Sequence, residues 1–167
     1  ALPILACIQS EMEYASNAYV HALSVSNHDR LIKLSKAAVR AMYGAPPWTS
    51  SSPLFKQAGV IPVDVRYQLK FLCFVYRCVN GLASPLLCDI FTKRASDRPT
   101  RGAVTNALVL PQIRLNVKIL AFAGAVRWNS LPATVRTSSS LSSFRTACLS
   151  LLGYPVIRQP MPVGHPK

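Results

Sequence analysis

The carboxylates of this chain are Glu11, Glu13, Asp29, Asp64, Asp89 and Asp97, and their spacing speaks against metal-assisted phosphoryl transfer. Such a site needs paired carboxylates that hold two ions against the attacking and leaving oxygens. The four aspartates stand far apart with no Asp-Asp pair, and Glu11 and Glu13, two apart on an expected helix, point to different faces. Zinc wants Cys and His at close spacing, whereas Cys73, Cys78, His21 and His28 make no such frame. The serine-rich stretches 49–52 and 138–143 read as loop and helix-cap chemistry, with no nucleophile elbow and no phosphate-binding glycine loop. No catalytic residue, metal site or cofactor site is assigned.

What remains is cationic. Lys and Arg total 19 against six acids, a formal charge of +13 with a pI near 10.1. So basic a surface suits a polyanion, nucleic acid before anionic membrane. Arg30, Lys33, Lys36 and Arg40 share about 120° of one expected helix, and Lys93, Arg94, Arg98 and Arg101 crowd one loop. Each can neutralise a phosphate and release its counterion. Nearby Tyr and Trp rings offer stacking faces for bases but no sequence readout.

The elements that must carry these groups are helices. Half of the residues are hydrophobic and the mean hydropathy is +0.25, enough to fold rather than remain disordered. The length fits one domain, or one domain with an added lobe. Leu115, Ile119, Phe122 and Val126 fall within about 60° of one another on a helical wheel, and Leu141, Phe144, Cys148, Leu151 and Leu152 form a second stripe. Ser139 or Ser140 is the expected N-cap of that second helix and Gly153 its terminator.

Residues 65–79 are apolar almost all round, a central helix with Arg66, Lys70 and Arg77 along one edge, opened by Asp64 and closed by Asn80-Gly81. In 28–43, Leu31, Leu34, Ala38 and Ala41 share a face beside the cations. A fifth helix is expected over about 4–23, with Ile8, Met12, Ala15 and Tyr19 on one side. The best strand signal, at 107–111, is short. Loops are expected at 44–53 and 92–106 and in a proline-rich tail, 154–167. The expectation is an all-α fold of about five amphipathic helices in an irregular bundle.

Trp128, Asn129, Leu131 and Pro132 mark a corner. Trp128 is expected to bury its ring against Phe122 or the following helix, which carries Phe144, and Asn129 to cap its helix in the left-handed region. Pro132 stops the helix and extends Leu131. Arg127 and Arg136 are left free for solvent or phosphate. The five cysteines are odd in number and no secretory signal precedes them; the opening ALPILACI is too short and lacks the basic flank. No apolar run approaches the ~18–20 residues of a membrane span. A reducing, intracellular setting is expected, nuclear or in a cytoplasmic ribonucleoprotein.

Seven blocks occur in one order: EYASNAYVHAL (13–23), LIKLSKAAVRAM (31–42), PLFKQAGVIPV (53–63), FLCFVYRCVNGLASPLL (71–87), PTRGAVTNALVLPQIR (99–114), GAVRWNSLPATVR (124–136) and SLSSFRTACLSLL (140–152). Together they resemble the region downstream of the polymerase active site in LINE-type, jockey-like non-LTR retrotransposon reverse transcriptases. The resemblance implies that residues 1–45 are the end of a helical thumb and 46–153 a helical C-terminal extension. It implies a non-catalytic part that holds RNA, DNA or their hybrid beside an upstream RNA-directed DNA polymerase, whose paired aspartates have no counterpart here. The chain departs from the family pattern near Tyr19, where a Trp is usual, and at Ser35. The competing expectation is a helical protein-interaction module, a decayed or domesticated transposon remnant that binds no nucleic acid.

Overall fold

A computed structural model describes residues 2–14, 16–20, 23–94, 106–112 and 119–154. The chain is all-α: among the described residues the helices are α1 (Leu2–Glu13), α2 (Ser16–Tyr19), α3 (Val25–Met42), α4 (Ser51–Gln57), α5 (Val63–Val79), α6 (Pro85–Cys88), α7 (Ile119–Ser130), α8 (Ala133–Arg136) and α9 (Leu141–Leu151). The five of eleven residues or more correspond to the five expected ones. The region expected as one helix over 4–23 is broken after Glu13, and α2 follows as a separate turn. Ala15 lies outside the described residues, as do Leu115, 95–105 and the tail from 155.

Helix α5 is the hub, in contact with α1, α2, α3, α6, α7 and α9. Ten of its residues are buried, as its all-round apolar sequence requires. Its N-terminal turns supply Val63 and Tyr67 to a small cluster with Met12, against which Ile8, Val20, Leu31 and Ile32 pack. The rest of α5 joins Phe91, Leu108, Ala125, Trp128, Val135, Phe144, Cys148 and Leu149 in the main core. Asp64 does not cap α5: Pro62 holds the N-cap position, and Asp64 sits in the first turn, where its charge favours the helix dipole.

Local caps follow the sequence more closely at α9. Ser140 accepts a hydrogen bond from Ser143 N at 3.1 Å. At the other end Gly153 takes φ +75°, so that Gly153 N–H reaches Ser150 O at 3.1 Å and Tyr154 N–H reaches Leu149 O at 3.0 Å. A left-handed glycine thereby satisfies two carbonyls that the helix leaves unpaired.

Two faces differ from expectation, and a third differs in part. On α7 the buried residues are Ala121, Gly124, Ala125 and Trp128, whereas Phe122 is half-buried and Val126 exposed. The true face lies roughly 140° round the helix from the expected one. The reason is close approach: a Cβ on Gly124 would stand 2.4 Å from Phe91 Cε1 and 3.2 Å from Val75 Cγ2, so small residues are what bring α7 onto α5. On α3 the face that packs inward is Leu31, Ile32, Ser35 and Val39, while Leu34 is 55% exposed and Ala41 lies in solvent. On α9 Phe144 and Cys148 are buried as expected, Leu149 joins them, and Leu151 is exposed.

The strand signal at 107–111 yields a single antiparallel bridge, Lys93 to Leu108. Arg94 N–H donates to Ala107 O and Val109 N–H to Thr92 O, both at 2.9 Å.

Candidate nucleic-acid interface

Cations become available to a ligand only where the fold leaves them unpaired. On α5, Arg66 Nη1 lies 2.7 Å from Glu13 Oε1 and Lys70 Nζ 2.6 Å from Oε2. Glu13 is mostly buried between them, so two of the three cations on that edge fasten α1 to α5; Arg77 is exposed. The carbonyl of Met12, left open at the end of α1, accepts the hydroxyls of Tyr19 and Tyr67, the latter at 2.7 Å. Burial, reinforced by Tyr19, drives the Tyr67 hydroxyl pKa upward, which keeps it a donor.

Helix α3 is different. Arg30, Lys33 and Lys36 are exposed on the side opposite Ser35 and Val39. Among the described residues, the ion pairs within 4 Å are the two of Glu13. From Arg30 to Val63 the sequence has five cations, Arg30, Lys33, Lys36, Arg40 and Lys56, and no acid. Arg40 is not a free member of the set. It is half-buried, and its Nε donates to Thr49 O at 2.7 Å, tying α3 to the turn that leads into α4.

Of the loop cations, Lys93 and Arg94 are exposed beside the bridge to Leu108; Arg98 and Arg101 lie outside the described residues. The expected loop at 44–53 ends early, because α4 begins at Ser51 and buries Ser51 and Phe55.

The corner residues serve the packing and the turn rather than a ligand. Trp128 is fully buried, stacked on Phe144 at 5.7 Å and near Tyr76 at 6.4 Å. Its Nε1 donates to Asn106 O at 2.7 Å, which answers the usual need of a buried indole. Its ring partner is thus Phe144 on α9 and not Phe122. Asn129 is no left-handed cap: α7 continues to Ser130, and among the described non-glycine residues only Asn106 has positive φ. Instead the Asn129 carboxamide accepts from Leu108 N–H at 2.8 Å and donates to Leu108 O at 2.9 Å. It pairs both polar groups of one residue, as a neighbouring strand would. Pro132 takes the N-cap position of α8 and Leu131 is half-buried.

Arg127 and Arg136 are not left to solvent. The Arg127 guanidinium lies 5.4 Å from the Phe71 ring centroid, and burial pushes its pKa down. Arg136 is half-buried with its Nε enclosed. The buried thiols of Cys78 and Cys148 are free and pushed up by burial to about 11 and about 12, so they behave as small apolar groups.

Trp48 is the residue the basic inventory misses. It is 86% exposed at the third position of a turn closed by Thr49 N–H to Pro46 O at 3.0 Å. The sequence signal for it was a lone Trp behind Pro46-Pro47, inside the acid-free stretch. Among the described residues no helix is long and apolar enough to cross a membrane. No protein-family model, curated protein or solved structure matches the chain.

Proposed function

We propose that this chain holds nucleic acid without catalysing a reaction, as the thumb end and C-terminal extension of a LINE-type reverse transcriptase whose polymerase lies upstream. The observation that carries the reading is the exposed face of Arg30, Lys33 and Lys36 on α3, where Asp29 is the one acid of the helix and, among the described residues, no ion pair forms. Lys93 and Arg94 add two further exposed cations. The ordered resemblance of the seven sequence blocks supplies the polymerase context, and the helical architecture is compatible with it.

If these five groups each neutralise a phosphate, log affinity for duplex DNA falls against log salt with a slope of about −4.5. The charge-reversed variant Arg30→Glu/Lys33→Glu/Lys36→Glu leaves the Arg40 tie intact and flattens that slope by about three. Filter retention of labelled duplex across a salt series, with helicity checked by circular dichroism, measures both. Undiminished retention by the folded variant sinks the assignment of this face. A second reading, a protein-interaction module, draws on the exposed side chains of Leu82 and Leu86 around α6; it predicts no salt-dependent retention in either protein.

A further inference from the structure

We propose that Trp48 is a stacking platform for an unpaired base, so that the strand held by this chain is single-stranded where it crosses the α3–α4 connection; this rests on the nucleic-acid reading above. The platform is built in advance of any ligand. After the C-cap Tyr43, Gly44 turns left-handed at φ +61° and Ala45 N–H returns to Arg40 O at 2.9 Å. Pro46 and Pro47 restrict the next two φ angles, Thr49 N–H closes on Pro46 O at 3.0 Å, and Arg40 Nε secures Thr49 O at 2.7 Å from below. An indole on so braced a turn loses little backbone freedom on binding, which favours association.

The chemistry of the occupant follows from the surroundings. A base presents a π-face to an aromatic side chain whatever its identity, and the phosphates that flank it require cations. Lys36 is exposed on α3 one helical turn before Arg40, which braces the turn, and neither this connection nor the whole of α3 beyond Asp29 contains an acid. A membrane surface would call for a broad apolar face beside the cations, whereas the exposed residues flanking Trp48 in the chain are Pro46, Pro47, Ser50, Ser52 and Pro53, and no Leu, Ile, Val or Phe between Tyr43 and Lys56 is exposed. A base paired inside a duplex offers no free face, so the platform discriminates in favour of single strands.

The chain has two tryptophans, and Trp128 is fully buried, so a ligand-induced change of indole emission reports Trp48. The full chain is titrated with a fluorescein-labelled oligothymidylate of roughly 20 nucleotides, long enough to exceed one typical binding site, and with a duplex of equal length. The thymidylate is expected to quench indole emission. Trp48→Ala should weaken its binding at least about fivefold, the lower end of a base-stacking contribution, with Trp48→Phe in between and duplex affinity unchanged. Equal thymidylate affinity for wild type and Trp48→Ala, or unquenched emission at saturation, overturns the platform while leaving nucleic-acid holding in place. If wild type binds neither probe, the underlying reading itself fails and the platform with it.

Discussion

The two tryptophans each stand near a helix end and close to proline, yet the fold treats them oppositely. Trp128 has Tyr76 and Phe144 around its ring and Asn106 O on its nitrogen. Trp48 projects from a braced turn with most of its surface in water. The arginines beside them do not divide in this way: Arg127 lies over the Phe71 ring and Arg40 braces the backbone of the Trp48 turn, both half-buried. A motif of aromatic and basic residues is thus no guide to function until its partners are known. The corner at 127–136 spends its side chains on joining α5, α7 and α9, and the α3–α4 connection spends its own on holding a ring outward.

The sharpest way to break this contrast is Trp128→Ala. Removal of a fully buried indole that anchors three helices and satisfies a carbonyl should cost about 3–5 kcal/mol, read from urea unfolding by circular dichroism. A loss below about 1 kcal/mol, the average for an arbitrary substitution, would mean that Trp128 is not the core anchor its burial indicates.

Gly124→Ala sharpens the same region from the other side. Alanine would gain up to about 1 kcal/mol of helix propensity. The added Cβ, however, meets the Phe91 ring at 2.4 and 2.8 Å, and that ring is itself held edge-on against Phe74 at 6.2 Å. Overpacking of this kind costs about 1–3 kcal/mol, so a net destabilisation is expected in the same urea assay. A net gain would show that α7 does not need its close approach to α5.

Gly124 also shows what could be read in advance. Apolar spacing located the five long helices, because burying one stripe of each is what stabilises them in water. It misplaced the inward faces of α3 and α7, since periodicity weighs how apolar a residue is and not how near two backbones must come. Ser35 on α3 and Gly124 on α7 count against a core face by hydropathy and are nevertheless buried. The site was legible to a different degree. The unpaired cations of α3 were identified by type and spacing, but the pairing of Arg66 and Lys70 with Glu13, and of Asn129 with Leu108, joins residues distant in the chain. Such contacts exist only once the helices have packed.

Trp48→Ala is the smallest expected effect on stability, and it completes the comparison. The indole has little buried area to lose, and the turn beneath it is held by backbone and Arg40 hydrogen bonds that the substitution leaves in place. A surface change away from caps, cores and networks stays within about 0.5 kcal/mol, so the urea midpoint of the variant should overlay that of the wild type. Its emission spectrum should then be that of Trp128 alone, blue-shifted as befits an indole enclosed by Phe144 and Tyr76. A substantial loss of stability would place Trp48 among the residues that hold α3 to α4 together, and the difference between the two tryptophans would become one of degree.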